Sequence, residues 1–184
     1  MMSAAPPNLV LAGPMGAGKS TVARLLAARL GRPLLDMDAE LERRFGRPIA
    51  AIFAADGEPA FRRAEAALCA ELAVPRGLIV AAGGGALVDP ANRAALSAGG
   101  VLIGLRAPPD VLLARLQSAG AITDRPLLRG SEPATALARL LAARAPVYDA
   151  LPQQVDTTAL TPEWVADAVL AQYQAAIALR EQRA

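Results

Sequence analysis

Short apolar runs alternate with longer amphipathic stretches along this chain. The first run, NLVLAG at Asn8–Gly13, is apolar at nearly every position and predicts a strand. A helix is predicted from Lys19 to about Leu30, with Val22, Leu25, Leu26 and Leu30 on its apolar side. RPLLDMD predicts a second short strand ending near Asp36, followed by helical segments in AELERRFG, PIAAIFAADG and EPAFRRAEAALCAELA. GLIVAAGGG predicts a third strand, apolar on both faces, and VLIGLRA a fourth over Val101–Leu105. A helix is predicted to begin near Asp110, where APPD supplies a proline break and a capping acid. SAGAITDRPLLRGSEP is rich in turn formers and reads as irregular; a helix follows over roughly Ala134–Asp149 and a short fifth strand in QQVDT. The last helix lies in TPEWVADAVLAQYQAAIALR, with Thr161 as cap, Pro162 in the first turn and Glu163 favourable to the dipole.

Strands that alternate with helices and are apolar on both faces imply an α/β fold whose parallel sheet is covered on two sides. Ligands of such folds bind beyond the carboxyl ends of the strands. Gly13, then Asp36 and Asp38, then Gly83–Gly85 fall at three of those ends. At 184 residues, without a repeat or linker, the chain is expected to form a single domain over 1–184.

Composition narrows the chemistry. The chain has no histidine, which removes histidine metal sites, histidine triads and a histidine general base. A formal charge of only +2, with acids and arginines interspersed, leaves no basic stripe for nucleic acid, and aromatics at 3% leave little to stack on bases. Nucleic acid and membrane are therefore not expected partners. MMSAAPPNLV does not read as a signal peptide, and no apolar run reaches membrane-spanning length. Cys69, the one cysteine, sits in AEAALCAEL and reads as a core residue; this usage fits a reducing cytosol, so a cytoplasmic location is expected.

Of the 19 basic residues, one is a lysine, and it stands in GPMGAGKST. Gly13, Gly18, Lys19 and Ser20 fit the pattern G-x-x-x-x-G-K-[ST] between a predicted strand and helix. Glycines let such a loop curl until backbone N–H groups converge on phosphate oxygens, and the helix N-terminus adds its positive dipole end. Lys19 would carry a compact charge to the β- and γ-phosphates, where a planar guanidinium fits the curled loop less well. Ser20 would place its hydroxyl on Mg²⁺. Gly16, Ala17 and Thr21 complete the candidate nucleotide-binding set. The bland alternative is a glycine-rich turn. Short length favours a small-molecule kinase over a motor or a GTPase. The third strand ends without an acid, and Asp36 after the second strand is the metal-side candidate.

The chain resembles shikimate kinases over nearly its whole length, through GPMGAGKST, DMD, IFAADGEPAFRRAE, GGGA, DRPLL and RAPVY in that order. The resemblance implies a five-stranded parallel sheet in the order 2-3-1-4-5, substrate-binding helices at about 37–73 and a mobile lid at about 116–130. It implies transfer of the γ-phosphoryl group of MgATP to the 3-hydroxyl of shikimate by a monomer. Asp36 would order Mg²⁺ through water beside Ser20. Asp38 would bind shikimate hydroxyls and accept the proton of the attacking one. Arg62 and Arg144 would hold the substrate carboxylate, and Gly83, Gly84 and Gly85 would let backbone amides approach the substrate. Arg125 would close over the phosphates from the lid. Arg115 and Pro162 would sandwich the adenine.

Each residue also has a plain alternative. Arg62 could pair with Glu65 on a solvated helix face, Asp36 and Asp38 could be turn and cap acids, and Arg144 could complement a helix C-terminus. Arg24, Arg29, Arg43, Arg44, Arg139 and Arg180 carry no motif and read as solvated helix faces. A gluconate kinase on the same fold is the nearest rival, an adenylate kinase a weaker one. A catalytically silent nucleotide-binding module is the rival from another class; it would usually lack the lysine, the first acid or the lid arginine, and Lys19, Asp36 and Arg125 are all present.

Overall fold

The computed structural model describes residues 5–120 and 132–182. Five strands, β1 (Asn8–Ala12), β2 (Leu34–Asp36), β3 (Ile79–Ala81), β4 (Gly100–Arg106) and β5 (Gln154–Asp156), form one parallel sheet in the order β2-β3-β1-β4-β5. The order is the one the resemblance implied. Helices α1 (Lys19–Leu30), α2 (Met37–Phe45), α3 (Ile49–Glu71), α4 (Pro90–Gly99), α5 (Pro109–Ser118), α6 (Pro133–Asp149) and α7 (Pro162–Glu181) connect and cover the strands.

The period of two along each strand divides the core. Leu9 and Leu11 of β1 join Ile79, Ile103 and Val155 in a cluster completed by Leu26 of α1, Leu112 of α5 and Val169 of α7. Val10 between them faces the other side, with Val80 and Leu102, against Met37 and Leu41 of α2, Leu68 of α3 and Leu96 of α4. Burial of each such side chain contributes about 1.5–3 kcal/mol, so both faces must be apolar. Cys69 lies in the second cluster, fully buried. Burial pushes its thiol up to about 12, with the Glu65 and Asp89 charges adding to the shift. Asn8 is the polar exception in β1. Its amide donates to the carbonyls of Leu72 (3.3 Å) and Pro75 (2.9 Å) and accepts from the Leu78 N–H (2.9 Å), tying the start of β1 to the chain that enters β3.

Several expectations shift in detail. The segments PIAAIFAADG and EPAFRRAEAALCAELA run together as α3, but Gly57, at φ 77° and ψ 165°, breaks its helical geometry where the sequence divides them. The third strand stops at Ala81; beyond it the carbonyls of Gly83 and Gly85 accept from Ala86 and Val88 N–H, closing a 3₁₀ turn over Ala86–Val88. Asp110 is not the cap of α5: Pro108 takes that place, Pro109 starts the helix, and Asp110 lies in its first turn. Helix α4 has no counterpart among the predicted elements, because Leu96 is its one large apolar residue. The signal was in its start, where Asp89 accepts from the Ala91 N–H at 2.8 Å and Pro90 is the first helical residue. No helix among the described residues is long and apolar enough to cross a membrane.

Candidate active site

The loop from Gly13 to Gly18 curls between β1 and α1 at the carboxyl edge of the sheet. Gly13 adopts φ 134° and Gly16 φ 80°, both left-handed. A Cβ on Gly13 would stand 2.3 Å from the Leu105 carbonyl oxygen of β4, and one on Gly16 2.9 Å from the Leu112 carbonyl oxygen of α5. The loop is thus pressed onto β4 and α5, and only glycine allows both the turn and the contact. Gly16, Gly18, Lys19, Ser20 and Thr21 face a cavity of about 710 Å³, while Gly13 and Ala17 are buried under the loop. Lys19 Nζ donates to the carbonyls of Gly13 and Pro14, each at 2.9 Å, so it arches over the loop instead of ending in open solvent.

Ser20 Oγ donates to Asp36 Oδ2 at 2.6 Å. Asp36 caps α2: its Oδ1 accepts from the Asp38 N–H (3.1 Å) and the Ala39 N–H (3.4 Å). One carboxylate therefore does two jobs, ending β2 beside the phosphate loop and starting the helix that presents Asp38. The cap reading and the metal-side reading of Asp36 are compatible. Among the described residues no group of three or more acidic, histidine or cysteine side chains forms a metal cage.

The glycine run after β3 has a separate charge at each end. A Cβ on Gly83 would lie 2.8 Å from Glu65 Oε1 and 3.0 Å from Asp38 Oδ1. A Cβ on Gly85 would lie 2.9 Å from Arg62 Nη1 and 3.1 Å from Arg144 Nη2. Carboxylates stand over one end of the run and guanidinium groups over the other. Between them the Gly84 carbonyl accepts from Arg144 Nη1 and, at 2.6 Å, from the Tyr148 hydroxyl. Arg144 is buried within α6, so it is not a solvated cation at a helix end.

Arg62 donates to Glu65 at 2.8 Å and to Glu58 at 2.9 Å. The pairing with Glu65 matches the plain alternative, yet the face is not solvated: Glu65 is 1% exposed. Burial pushes the Glu65 carboxyl above the usual range, with Arg62 opposing the shift and Asp38 adding to it. Burial likewise lowers the Arg144 guanidinium and raises the Tyr148 phenol, each partly opposed by the other.

Gly85→Ala is expected to push both guanidinium groups aside. It should raise the KM of an anionic acceptor by about tenfold or more, leaving the KM of ATP within about twofold. Steady-state kinetics in both substrates checks this; an equal rise in the two constants would place the damage elsewhere.

Arg115 faces the same cavity from α5; Arg24 on α1 is solvent-exposed, as its reading as a solvated helix face expects, and lies at the rim of that cavity. Arg29, Arg43 and Arg44 do pair on exposed surfaces, with Asp167, Glu40 and Glu71. Pro162 starts α7, is exposed and is not among the residues facing the cavity. Arg125 and most of the expected lid lie outside the described residues. Glu65, Tyr148 and Arg24 are the site residues that sequence reasoning passed over. Tyr148 stood within RAPVY, one helical turn after Arg144, a spacing that puts both on one face.

A model of the shikimate kinase family matches residues 15–174. The chain belongs to the shikimate kinase family. A shikimate kinase of Desulforudis audaxviator is 51% identical over 150 residues, which cover 82% of this chain and 77% of that one. Among solved structures, a shikimate kinase from Acinetobacter baumannii in complex with shikimate superposes with a TM-score of 0.86 at 37% identity, covering 92% of this chain and 94% of the other. A gluconokinase from Sinorhizobium meliloti reaches a TM-score of 0.67 at 20% identity, with 97% and 98% covered, a likeness of fold alone. Shikimate kinases are ATP-dependent kinases, and the loop over Gly13–Gly18 has the shape that role requires.

Proposed function

We propose that this protein transfers the γ-phosphoryl group of ATP to the 3-hydroxyl of shikimate. The observation that carries the proposal is the glycine run, with carboxylates at Gly83 and guanidinium groups at Gly85, set in the same cavity as the phosphate loop. A cyclic hydroxy acid has acceptor needs of both kinds: its carboxylate takes bidentate guanidinium bonds, and its hydroxyls donate to carboxylates. Membership of the shikimate kinase family and the likeness to a relative solved with shikimate support the choice of acid.

In this reading Arg62 and Arg144 hold the substrate carboxylate, and Asp38 orients the attacking hydroxyl and takes up its proton as the new O–P bond forms. The bond from the γ-phosphorus to the ADP oxygen breaks in the same transfer. Lys19 leaves the Gly13 and Pro14 carbonyls for phosphate oxygens and meets the charge that moves toward ADP. Gly83, Gly84 and Gly85 bring backbone close to the acceptor. Arg115 lies against the adenine from α5.

The residues fit Mg²⁺ carried in with the nucleotide. A hydroxyl and a carboxylate in contact, with no cage of acidic, histidine or cysteine side chains among the described residues, suit an ion that keeps water and phosphate as its other ligands. Ser20 would hold it directly and Asp36 through water. Bound there, it supplies charge neutralisation and orientation of the β- and γ-phosphates. We read the protein as a cytoplasmic monomer. The buried, reduced Cys69 suits a reducing compartment, and the monomer is what the resemblance to shikimate kinases implies.

Coupled release of ADP from MgATP tests the proposal, run against shikimate, gluconate, AMP and no acceptor. Turnover with shikimate should exceed the others by at least about two orders of magnitude. Preference for gluconate would move the substrate to the rival acid. Release that ignores every acceptor would leave only the nucleotide-binding loop.

A further inference from the structure

The connection from β5 to α7 contains a threonine that nothing above uses. Thr157 is 2% exposed, although it lies just past the end of a strand. Its N–H donates to the Arg106 carbonyl at 2.8 Å, extending the β4–β5 ladder by one step, and its hydroxyl donates to the same carbonyl at 3.1 Å. That hydroxyl can still accept. It does so from Arg115 Nη1 at 2.9 Å, while the Thr157 carbonyl accepts from Arg115 Nη2 at 2.6 Å.

Two parallel bonds to neutral partners fix the guanidinium in the manner of a fork. They do not neutralise its charge; the exposed Asp156 carboxylate on β5, which sits nearer Arg106, only feels that charge without pairing with it. Thr157 takes one N–H from each terminal nitrogen, and the two bonds together fix the plane of the guanidinium, so its flat face is held in one orientation. A flat, charged face is what stacks on an aromatic base. The base end of Arg115 is also keyed to the phosphate end of the site. α5 is the helix against which the Gly16 backbone packs, through the Leu112 carbonyl and the Leu116 side chain.

We propose that Thr157 is a positioning residue for nucleotide binding: its hydroxyl sets the plane of the Arg115 guanidinium so that the face, not the N–H edge, meets the adenine. This rests on the reading that Arg115 lies against the base. The hydroxyl is the removable half of the fork, since the carbonyl bond needs no particular side chain.

Thr157→Val keeps the branched shape and removes the hydroxyl; Thr157→Ala removes it without steric demand and serves if the valine variant does not fold. Steady-state KM for ATP and for shikimate, ADP Kd by calorimetry and melting without ligand are measured on the full chain. The expected result is a rise of about fivefold in ATP KM and ADP Kd, the worth of one hydrogen bond, with shikimate KM and melting little changed. Thr157→Ser, which restores the hydroxyl, should bring ATP KM back towards the wild-type value. Arg115→Ala should weaken ADP at least as much, and adding Thr157→Val to it should cost nothing more. An unchanged ADP Kd in both hydroxyl-free variants overturns the inference, as does an equal rise in both KM values with a lowered melting temperature. If Arg115→Ala itself leaves ADP Kd unchanged, the base-contact reading fails and the role of Thr157 falls with it. If Arg115→Ala weakens ADP and the Thr157 variants do not, only the positioning role is lost.

Discussion

Lys19→Ala is expected to reduce kcat by roughly 100- to 1,000-fold, the scale seen when one preorganised donor to a transition-state charge is removed. The folded protein should survive the change, though not untouched. Lys19 Nζ holds the Gly13 and Pro14 carbonyls at 2.9 Å, and two partly exposed bonds are worth about 1–2 kcal/mol net. For a chain of this size that is a fall of about 2–8 °C in melting temperature. Calorimetry and single-turnover kinetics on one preparation separate the two effects. A much larger thermal loss would make the kinetic loss a matter of folding. Lys19→Arg refines the point. It keeps the charge but puts a planar fork into a loop already pressed against β4 and α5, so little activity should return. If the arginine variant recovered most of the rate, charge alone would be enough and the shape argument would be wrong.

Arg62→Ala is expected to raise the shikimate KM by about 100-fold while the ATP KM moves little, because truncating one partner of a desolvated charge pair costs about 2–5 kcal/mol. The structure adds a second consequence. Arg62 is the main cation opposing the burial-driven rise of the Glu65 carboxyl, with Arg144 helping, and Asp38 stands near enough to push the same way as burial. Without Arg62 the Glu65 pKa climbs further. A carboxyl whose folded pKa lies above its unfolded value adds stability below the unfolded value and loses it as pH rises through the folded one. Wild type and variant should therefore melt at similar temperatures in acid, below the ordinary carboxyl value of 4.5, and diverge as pH rises to neutrality. Adding Glu65→Gln to the variant should restore melting at neutral pH without restoring the shikimate KM. Restoration of both would mean that Arg62 serves the fold and not the substrate.

Much of this site is legible in the amino-acid sequence. Lys19, Ser20, Asp36, Asp38 and the glycine run are all close to their strands in sequence, so short runs apolar on both faces and a few glycines were enough to place them at one edge of a parallel sheet. From its local pattern Arg62 was legible only as a helix cation, and it was the resemblance to shikimate kinases that marked it for the substrate carboxylate. Its neighbours Glu58 and Glu65 look like ordinary surface partners, and only the packing of α3 under the Gly83–Gly85 turn makes that face buried. Helix α4 escaped for the opposite reason: its small residues give almost no periodic signal, and its cap at Asp89 is the stronger mark.

Local pattern, then, determined the strand–helix alternation, the phosphate loop and the breaks at Gly57 and beyond Ala81, because those depend on residues within a turn or two of each other. Tertiary structure alone decided the partners that are far apart in sequence. Arg144 reaches the carbonyl of Gly84, Arg115 reaches Thr157, and Arg32 gathers the carbonyls of Pro7, Gly77 and Leu78 together with the Tyr173 hydroxyl. An arginine announces only that it has a charge and five donors. Which oxygens it meets is set by how the helices pack on the sheet, and that packing is a property of the whole core and not of any stretch of the chain.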